Sequence, residues 1–345
     1  PVIVCLSVCC GVLCWVSGSS SDCGAGMIEI AVPEDAEGMR LDRFLRKSAG
    51  PIGQGLLERQ LRQGKIRLDG AKAKANTRLQ SGQRLTYPKQ LIDSVANGQP
   101  QKPVQQIDRK SACDQLAKMT IAEHDNWLAV NKPAGLAVQG GSRTTRHIDG
   151  LLRAAYPENP PKLVHRLDRD TSGLLLLARH DKAAQEMTAG FADKTISKVY
   201  LALVIGDPGA EGRINAPLRK AGGKGAEKMI IDHEAGQTAV TDFLRLDKAG
   251  PVSLMALRPV TGRTHQLRVH MLGAGTPILG DGKYAGSAAH IGGFARQLHL
   301  HARFLSLADG TLLSAPVSEH LQASTELAGL ADSLPDGMPF FGFHT

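Results

Sequence analysis

Four consecutive leucines, Leu174–Leu177, follow closely on the charged run His165-Arg166-Leu167-Asp168-Arg169-Asp170. An apolar run of this kind has no polar face to offer water, so it reads as a strand buried on both sides. A rigid buried strand fixes what the loop before it presents, and functional side chains are common on such loops. The local pattern alone supports a second reading with equal weight. Asp168 and Asp170 would then simply turn the chain, with Thr171-Ser172-Gly173 closing the turn.

A length of 345 residues, 42% hydrophobic and 21% charged, suggests two domains of ordinary soluble composition. Strand candidates recur beyond residue 115: Trp127–Val130, Leu174–Leu177, Val199–Val204, Ala239–Leu244 and Val252–Leu257, with a helical stretch at Asp181–Phe191. Strands outnumber helices and do not alternate with them regularly. The expected class is therefore α+β, with a mixed, largely antiparallel sheet in the larger domain, rather than a doubly wound fold.

Charge separates a second region. Residues 39–88 hold twelve basic and three acidic residues, a net +9, against a whole-chain net of +8. One small stretch is the electrostatic footprint, and it points to a polyanionic partner. Leu41, Phe44 and Leu45 lie on one helical face, a break follows at Gly50-Pro51-Ile52-Gly53, and Leu56, Leu57 and Leu61 make a second helix ended by Gly64. Lys65-Ile66-Arg67-Leu68 then alternates like a strand before a turn at Asp69-Gly70. Two short helices and a hairpin, rich in Arg and Lys, describe a compact RNA-binding module.

Five of the six cysteines fall in the first 26 residues, at spacings that match no metal site. The apolar run 2–16 resembles a signal-peptide core but has no preceding Lys or Arg and is too short to span a bilayer. Residues 1–26 are therefore expected to be a non-native or disordered extension. The remainder reads as a reduced, cytoplasmic protein without a membrane anchor.

Residues 39–88, from Arg40-Leu41-Asp42 through Gly64–Gly70 to Leu79-Gln80-Ser81-Gly82-Gln83, resemble an S4-type RNA-binding domain. His165-Arg166-Leu167-Asp168, two further residues, then Thr171-Ser172-Gly173 and an aliphatic run resemble the RluA family of pseudouridine synthases. Three more blocks match in order: Val130–Gly135, Lys198–Ala202, and Gly262–His270 followed by Pro277–Asp281. Val138–Ser142 and Arg169-Asp170 look most like the RluC branch, which modifies large-subunit (23S) ribosomal RNA. A different rRNA position, or tRNA, is the alternative target. Lys220–Ile231 matches least well.

This resemblance implies a domain plan: 27–90 S4-type, 91–115 linker, 116–330 catalytic domain and 331–345 tail. It implies isomerisation of uridine to pseudouridine by a monomer acting on 23S rRNA or a pre-ribosomal particle, with no cofactor and no metal. The chemistry breaks C1′–N1, turns the uracil and joins C5 to C1′. An ionised carboxylate is wanted there, to attack C1′, attack C6 or remove a ribose proton, and the motif assigns it to Asp168. Arg268 would pair with Asp168 to keep it ionised. Tyr200 would give an aromatic face and a hydroxyl near the C5 proton. Arg166 would help displace the target base. His165, Arg263, Asn131 and Lys132 would complete the substrate site. Arg40, Arg43, Arg62, Lys65, Arg67, Lys72 and Lys74 would hold RNA.

Without the motif, Arg268 reads as a surface arginine and Tyr200 as a core tyrosine, each on an alternating strand. Among the twelve histidines, His265 with His270 and His299 with His301 lack the company of a zinc site and read as structural or RNA-contacting. Three rival classes fit less well. A pure RNA-binding protein has no need for Asp168, Tyr200 and Arg268 at their motif positions. The aspartic protease loop is broken by Ser172, and no phosphate-binding glycine loop of nucleotide enzymes is present.

Overall fold

The computed structural model describes residues 26–50, 52–91, 107–140, 146–222 and 228–339. The extension before residue 26, most of the expected linker and the last residues of the expected tail lie outside them. The chain divides into two compact units, between residues 103 and 104.

In the first unit, β1 (Met27–Ala31), α1 (Leu41–Ala49), α2 (Gln54–Arg62), β2 (Arg67–Leu68), β3 (Ala71–Lys72) and β4 (Arg84–Pro88) form a four-stranded sheet of order β1-β4-β2-β3 under two helices. The apolar stripes do what their spacing suggests. Leu41, Phe44 and Leu45 of α1 and Leu57 and Leu61 of α2 are buried with Ile66, Leu79 and Leu85 in one core. The β2–β3 connection has Asp69 and Gly70 at φ of 49° and 76°. Left-handed backbone at both central residues suits a two-residue hairpin, and Asp and Gly tolerate it best.

The second unit begins with α3 (Arg109–Met119), β5 (Thr120–Glu123), β6 (Trp127–Lys132), α4 (Ile148–Ala155), β7 (Lys162–Leu163), β8 (Ser172–Ala178), α5 (Asp181–Ala192) and β9 (Ser197–Ile205). It continues with β10 (Glu211–Asn215), β11 (Leu218–Lys220), β12 (Met229–Ile231), β13 (Val240–Ala249) and β14 (Val252–Pro259). It closes with α6 (Gln266–Gly273), α7 (Gly282–Ala285), β15 (Leu300–Ser306), β16 (Leu312–Ser314) and α8 (Glu319–Ala328). The main sheet runs β10-β13-β14-β9-β15-β8-β6-β5, and every neighbouring pair is antiparallel except β15 with β8. The class is α+β, as the strand count implies.

Both faces of this sheet are covered at its centre. All seven residues of β8 are buried. On β9, Tyr200, Ala202 and Val204 face the large core shared with α3 and α4, while Leu201 and Leu203 face a second core with Leu321 of α8. The register is tight where β8 meets β15. Gly173 has φ +107°, and a Cβ there would stand 2.3 Å from the carbonyl oxygen of Ala302. Only glycine fits this crossing from loop to strand.

Three sequence expectations change. Residues 109–115, placed in the linker, belong to α3, whose Ala112 and Leu116 are buried in the main core. Asp108 caps this helix, accepting from Ser111 N–H at 3.0 Å. The described part of the tail is packed, with Leu334 and Met338 against the sheet clusters and Ser333 Oγ donating to Asp247 at 2.5 Å. Residues 266–273 form a helix rather than an alternating strand, which moves Arg268 off any exposed sheet face. Among the described residues, no helix is long and apolar enough to cross a membrane.

Candidate active site

Asp168 lies in the loop between β7 and β8. Leu167 is buried beside it, and the Asp168 carboxylate is one-fifth exposed at 20%. The loop is held from β6. Lys132 is fully buried, and its Nζ donates to the carbonyls of Pro133 and Leu136 at 2.9 Å and of Arg169 at 3.0 Å. Gly135 N–H also donates to Arg169 O at 2.9 Å. Burial lowers the Lys132 pKa to about 7 against the pull of Asp170 and Asp168. Three carbonyl acceptors nevertheless select the ammonium, because a neutral amine has only two N–H groups to give.

Asp168 faces a cavity of about 360 Å³, within the usual range for a small-ligand pocket. Its wall includes Arg166 from the same loop, Tyr200 from β9, and Arg263, His265 and Arg268 from the segment that enters α6. That segment is locked by the buried amide of Gln266. The amide donates to Val240 O at 2.8 Å and Thr241 Oγ1 at 3.0 Å, and accepts from Thr261 Oγ1 at 2.7 Å and Arg263 N–H at 3.1 Å. Every hydrogen-bonding position of this side chain is filled, which fixes the start of the helix.

Tyr200 is nearly buried, yet its hydroxyl has no hydrogen bond among the described residues. Burial, with the Asp168 charge, pushes its pKa well up, so the phenol stays protonated. Arg268 is placed differently from the expected pair. It is buried on α6 and bonded to Asp281, Nε at 2.9 Å and a terminal nitrogen at 2.5 Å, and no direct Arg268–Asp168 ion pair occurs among the described residues. Its charge still acts on Asp168 through space. Asp281, in the Pro277–Asp281 block, is the shorter-range partner because α7 brings it against α6.

The remaining expected substrate residues divide. Arg166 is exposed on the cavity rim. Arg263 is exposed there too, with Nε donating to Thr238 O at 3.1 Å. His165 lines the cavity, but its Nε2 accepts from Leu176 N–H at 2.9 Å and its ring packs on Phe191 at 4.7 Å, while Nδ1 is buried with no partner among the described residues. Lys132 and Asn131 do not reach the cavity. Lys132 is a buried brace for the loop, and Asn131, alternating to the other face of β6, donates to Pro316 O at 3.0 Å. Lys132 braces the loop, and an ammonium with three internal acceptors has no N–H left for a ligand.

Sequence reasoning passed over Lys198. It lines the cavity two residues before Tyr200, on the same face of β9, with Nζ 4.8 Å from the Phe191 ring. Burial alone lowers its pKa to about 8. The strand period could have found it. His270, His299 and His301 are buried and hydrogen-bonded inside the fold, with burial pushing His299 and His301 down to about 4. Among the described residues, no cluster of three His, Cys, Asp or Glu is placed to hold a metal ion.

In the first unit, Arg43, Lys65, Lys72 and Lys74 are exposed and make no ion pair among the described residues. Arg40 is held by Asp42 at 2.7 and 3.0 Å, Arg67 donates to the Gly64 and Gly70 carbonyls at 3.1 Å, and Arg62 donates to Glu58 O at 3.4 Å.

The family model of RNA pseudouridylate synthases matches residues 126–272. The chain is 35% identical over 309 residues to the ribosomal large subunit pseudouridine synthase C of Vibrio cholerae serotype O1, covering 86% of this chain and 96% of that protein. The protein of the same name from Rickettsia conorii is 34% identical over 281 residues, 78% of this chain and 89% of its own. Among solved structures, human RNA pseudouridylate synthase domain containing 4 superposes with a TM-score of 0.51 at 27% identity, covering 62% of this chain and 94% of that one.

Proposed function

Because the chain belongs to the RNA pseudouridylate synthase family, as an RluA-family, RluC-type enzyme that isomerises uridine in RNA, we propose that its substrate is large-subunit (23S) ribosomal RNA and that Asp168 is the reacting carboxylate. The observation that carries the site assignment is the meeting of Asp168 and Tyr200 in one cavity, with the fixed positive charge of Arg268 behind them.

The reaction moves atoms without adding any. The C1′–N1 bond breaks, the uracil rotates, C5 bonds to C1′, C5 loses its proton and N1 gains one. Asp168 is partly exposed, so it can meet the ribose or base. The Arg268 guanidinium and the Lys132 ammonium both act on this carboxylate through space. Tyr200 offers a flat face for the uracil and a protonated hydroxyl whose oxygen has no hydrogen-bond partner among the described residues. Uridine must leave its stack to enter, at about a few kcal/mol. Arg166, exposed at the rim, is the cation positioned to fill the vacated space.

The first unit is proposed to be an S4-type RNA-binding domain. Arg43, Lys65, Lys72 and Lys74, exposed and without an ion pair among the described residues, support that role, since phosphate contacts by such cations supply affinity without reading sequence. The RluC-type relatives bear names that specify the ribosomal large subunit, and this supports the choice of 23S rRNA.

Asp168→Asn tests the assignment with little change in shape. The variant should fold and bind RNA but leave the target uridines unmodified. Carbodiimide–reverse-transcription mapping of 23S rRNA from cells carrying only this variant reads the outcome. Stops that persist at the enzyme's sites would show that another group does the chemistry, and loss of stops on tRNA alone would move the substrate.

A further inference from the structure

We propose that His265 is a positioning residue for the isomerisation: its Nε2–H is aimed at one oxygen of Asp168 and leaves the other oxygen to the substrate. This depends on the assignment of Asp168 as the reacting carboxylate.

His265 precedes α6 with φ 54° and ψ 19°, a left-handed backbone that non-glycine residues adopt at an energetic cost. That cost is retained on the cavity wall, where a plain turn residue would be asparagine or glycine. The ring itself is fixed from behind. Tyr284 lies 2.6 Å from His265 Nδ1, and the rings meet edge-on at 5.5 Å. The Tyr284 oxygen already accepts from Met229 N–H at 3.0 Å, so its own proton points to Nδ1. The Arg268 guanidinium lies 5.0 Å over the Tyr284 ring and holds it in place. With Nδ1 accepting, the imidazole proton belongs on Nε2, and Nε2 stands 3.9 Å from Asp168 Oδ2.

The groups facing the ring are Asp168, Asp281, Arg268, Lys283 and Tyr284. Burial, Arg268 and Lys283 disfavour a second proton, more strongly than Asp168 and Asp281 favour it. The ring therefore works as a neutral donor. The gap of 3.9 Å is longer than a hydrogen bond, and it closes when a nucleoside fills the cavity, as catalytic contacts often tighten on substrate binding. Arg268, bonded to Asp281, fixes the charge of the site; His265 fixes the direction of its carboxylate.

The test uses the full chain and 23S rRNA transcribed in vitro. Single-turnover pseudouridine formation, RNA affinity and Tm are measured for His265→Asn, His265→Gln, Tyr284→Phe and the double variant His265→Asn with Tyr284→Phe. Asparagine tolerates the left-handed backbone but does not reach Asp168. It should lower the rate at least tenfold while affinity and Tm hold. Glutamine places an amide N–H near the site of Nε2 and should recover much of the loss. Tyr284→Phe should slow the reaction alone and add little on the asparagine background.

A wild-type rate in His265→Asn overturns the proposal. A loss that follows affinity would make His265 an RNA contact, and one that follows Tm would make it a structural cap; either also overturns it. Asp168→Asn is run alongside: if it is inactive and His265→Asn is not, this inference alone fails, whereas activity in Asp168→Asn removes both.

Discussion

Arg268 grips Asp281 with two nitrogens, at 2.9 and 2.5 Å, and both side chains are almost completely sealed from water. The pair carries no net charge of its own, yet its guanidinium end raises the positive potential at Asp168. A buried cation without Asp281 would be expensive, and a cation bonded directly to Asp168 would compete with the substrate for the same oxygens. The Asp281 carboxylate lets the charge be present while Asp168 stays available.

Removing one partner should therefore be costly. Arg268→Gln leaves the Asp281 carboxylate buried and unpaired, with an expected loss of about 3–5 kcal/mol in urea unfolding. Replacing both, Arg268→Leu with Asp281→Leu, should restore much of that stability and none of the activity. Equal activity in the double variant would show that the pair is only structural.

Gly173→Ala should be among the most damaging small substitutions in the chain. The methyl would meet the Ala302 carbonyl oxygen at 2.3 Å from a backbone at φ +107°. A loss of roughly 3–5 kcal/mol is expected, visible as a lower Tm and as insoluble expression. An unchanged Tm would mean that the β8–β15 contact is looser than described.

Lys198→Met should stabilise the fold at neutral pH. Burial lowers the Lys198 pKa to about 8, whereas the unfolded chain keeps the ordinary value near 10.5. Below pH 8 both states carry the ammonium, and the folded state bears the full desolvation cost. Between pH 8 and 10.5 the unfolded state binds more protons, so wild-type stability rises with pH. The advantage of methionine should be about 1–3 kcal/mol at pH 7 and should fade across that window. Chemical denaturation of both proteins at stepped pH measures it; a difference that is flat with pH would exclude Lys198 as the source.

Deleting residues 27–90 should weaken binding to 23S rRNA and flatten its salt dependence. Each lost phosphate contact removes roughly one unit from the slope of log affinity against log salt. Filter binding between about 50 and 200 mM salt reads the slope. An unchanged slope would place the RNA footprint on the second unit alone.

Much of the fold was legible because it is set by neighbours in sequence. The strands at Trp127, Leu174, Val199, Val240 and Val252 and the helices at Leu41, Gln54 and Asp181 follow from apolar period, which any local core must satisfy. Helix α3 escaped because Arg109–Met119 is mostly polar around its two buried positions, Ala112 and Leu116. The Gly262–His270 block was legible as a motif but not as a helix, since His265 just before the first turn is left-handed and the apolar residues meet core on several sides.

For the site, the sequence by itself determined which residue types were available: an aspartate before a buried strand, a tyrosine on a core strand, arginines in the same motifs and a basic module earlier in the chain. Pattern is a property of short stretches, and it survives whatever the rest of the chain does. Only the tertiary structure decided who meets whom. Asp281 rather than Asp168 takes Arg268, Lys132 turns inward to three carbonyls, and Tyr284 orients His265. Charge pairing and hydrogen bonding act over a few ångströms with no memory of sequence distance. The partner of a buried ion is therefore fixed by how elements pack, and not by the motif in which the ion is found.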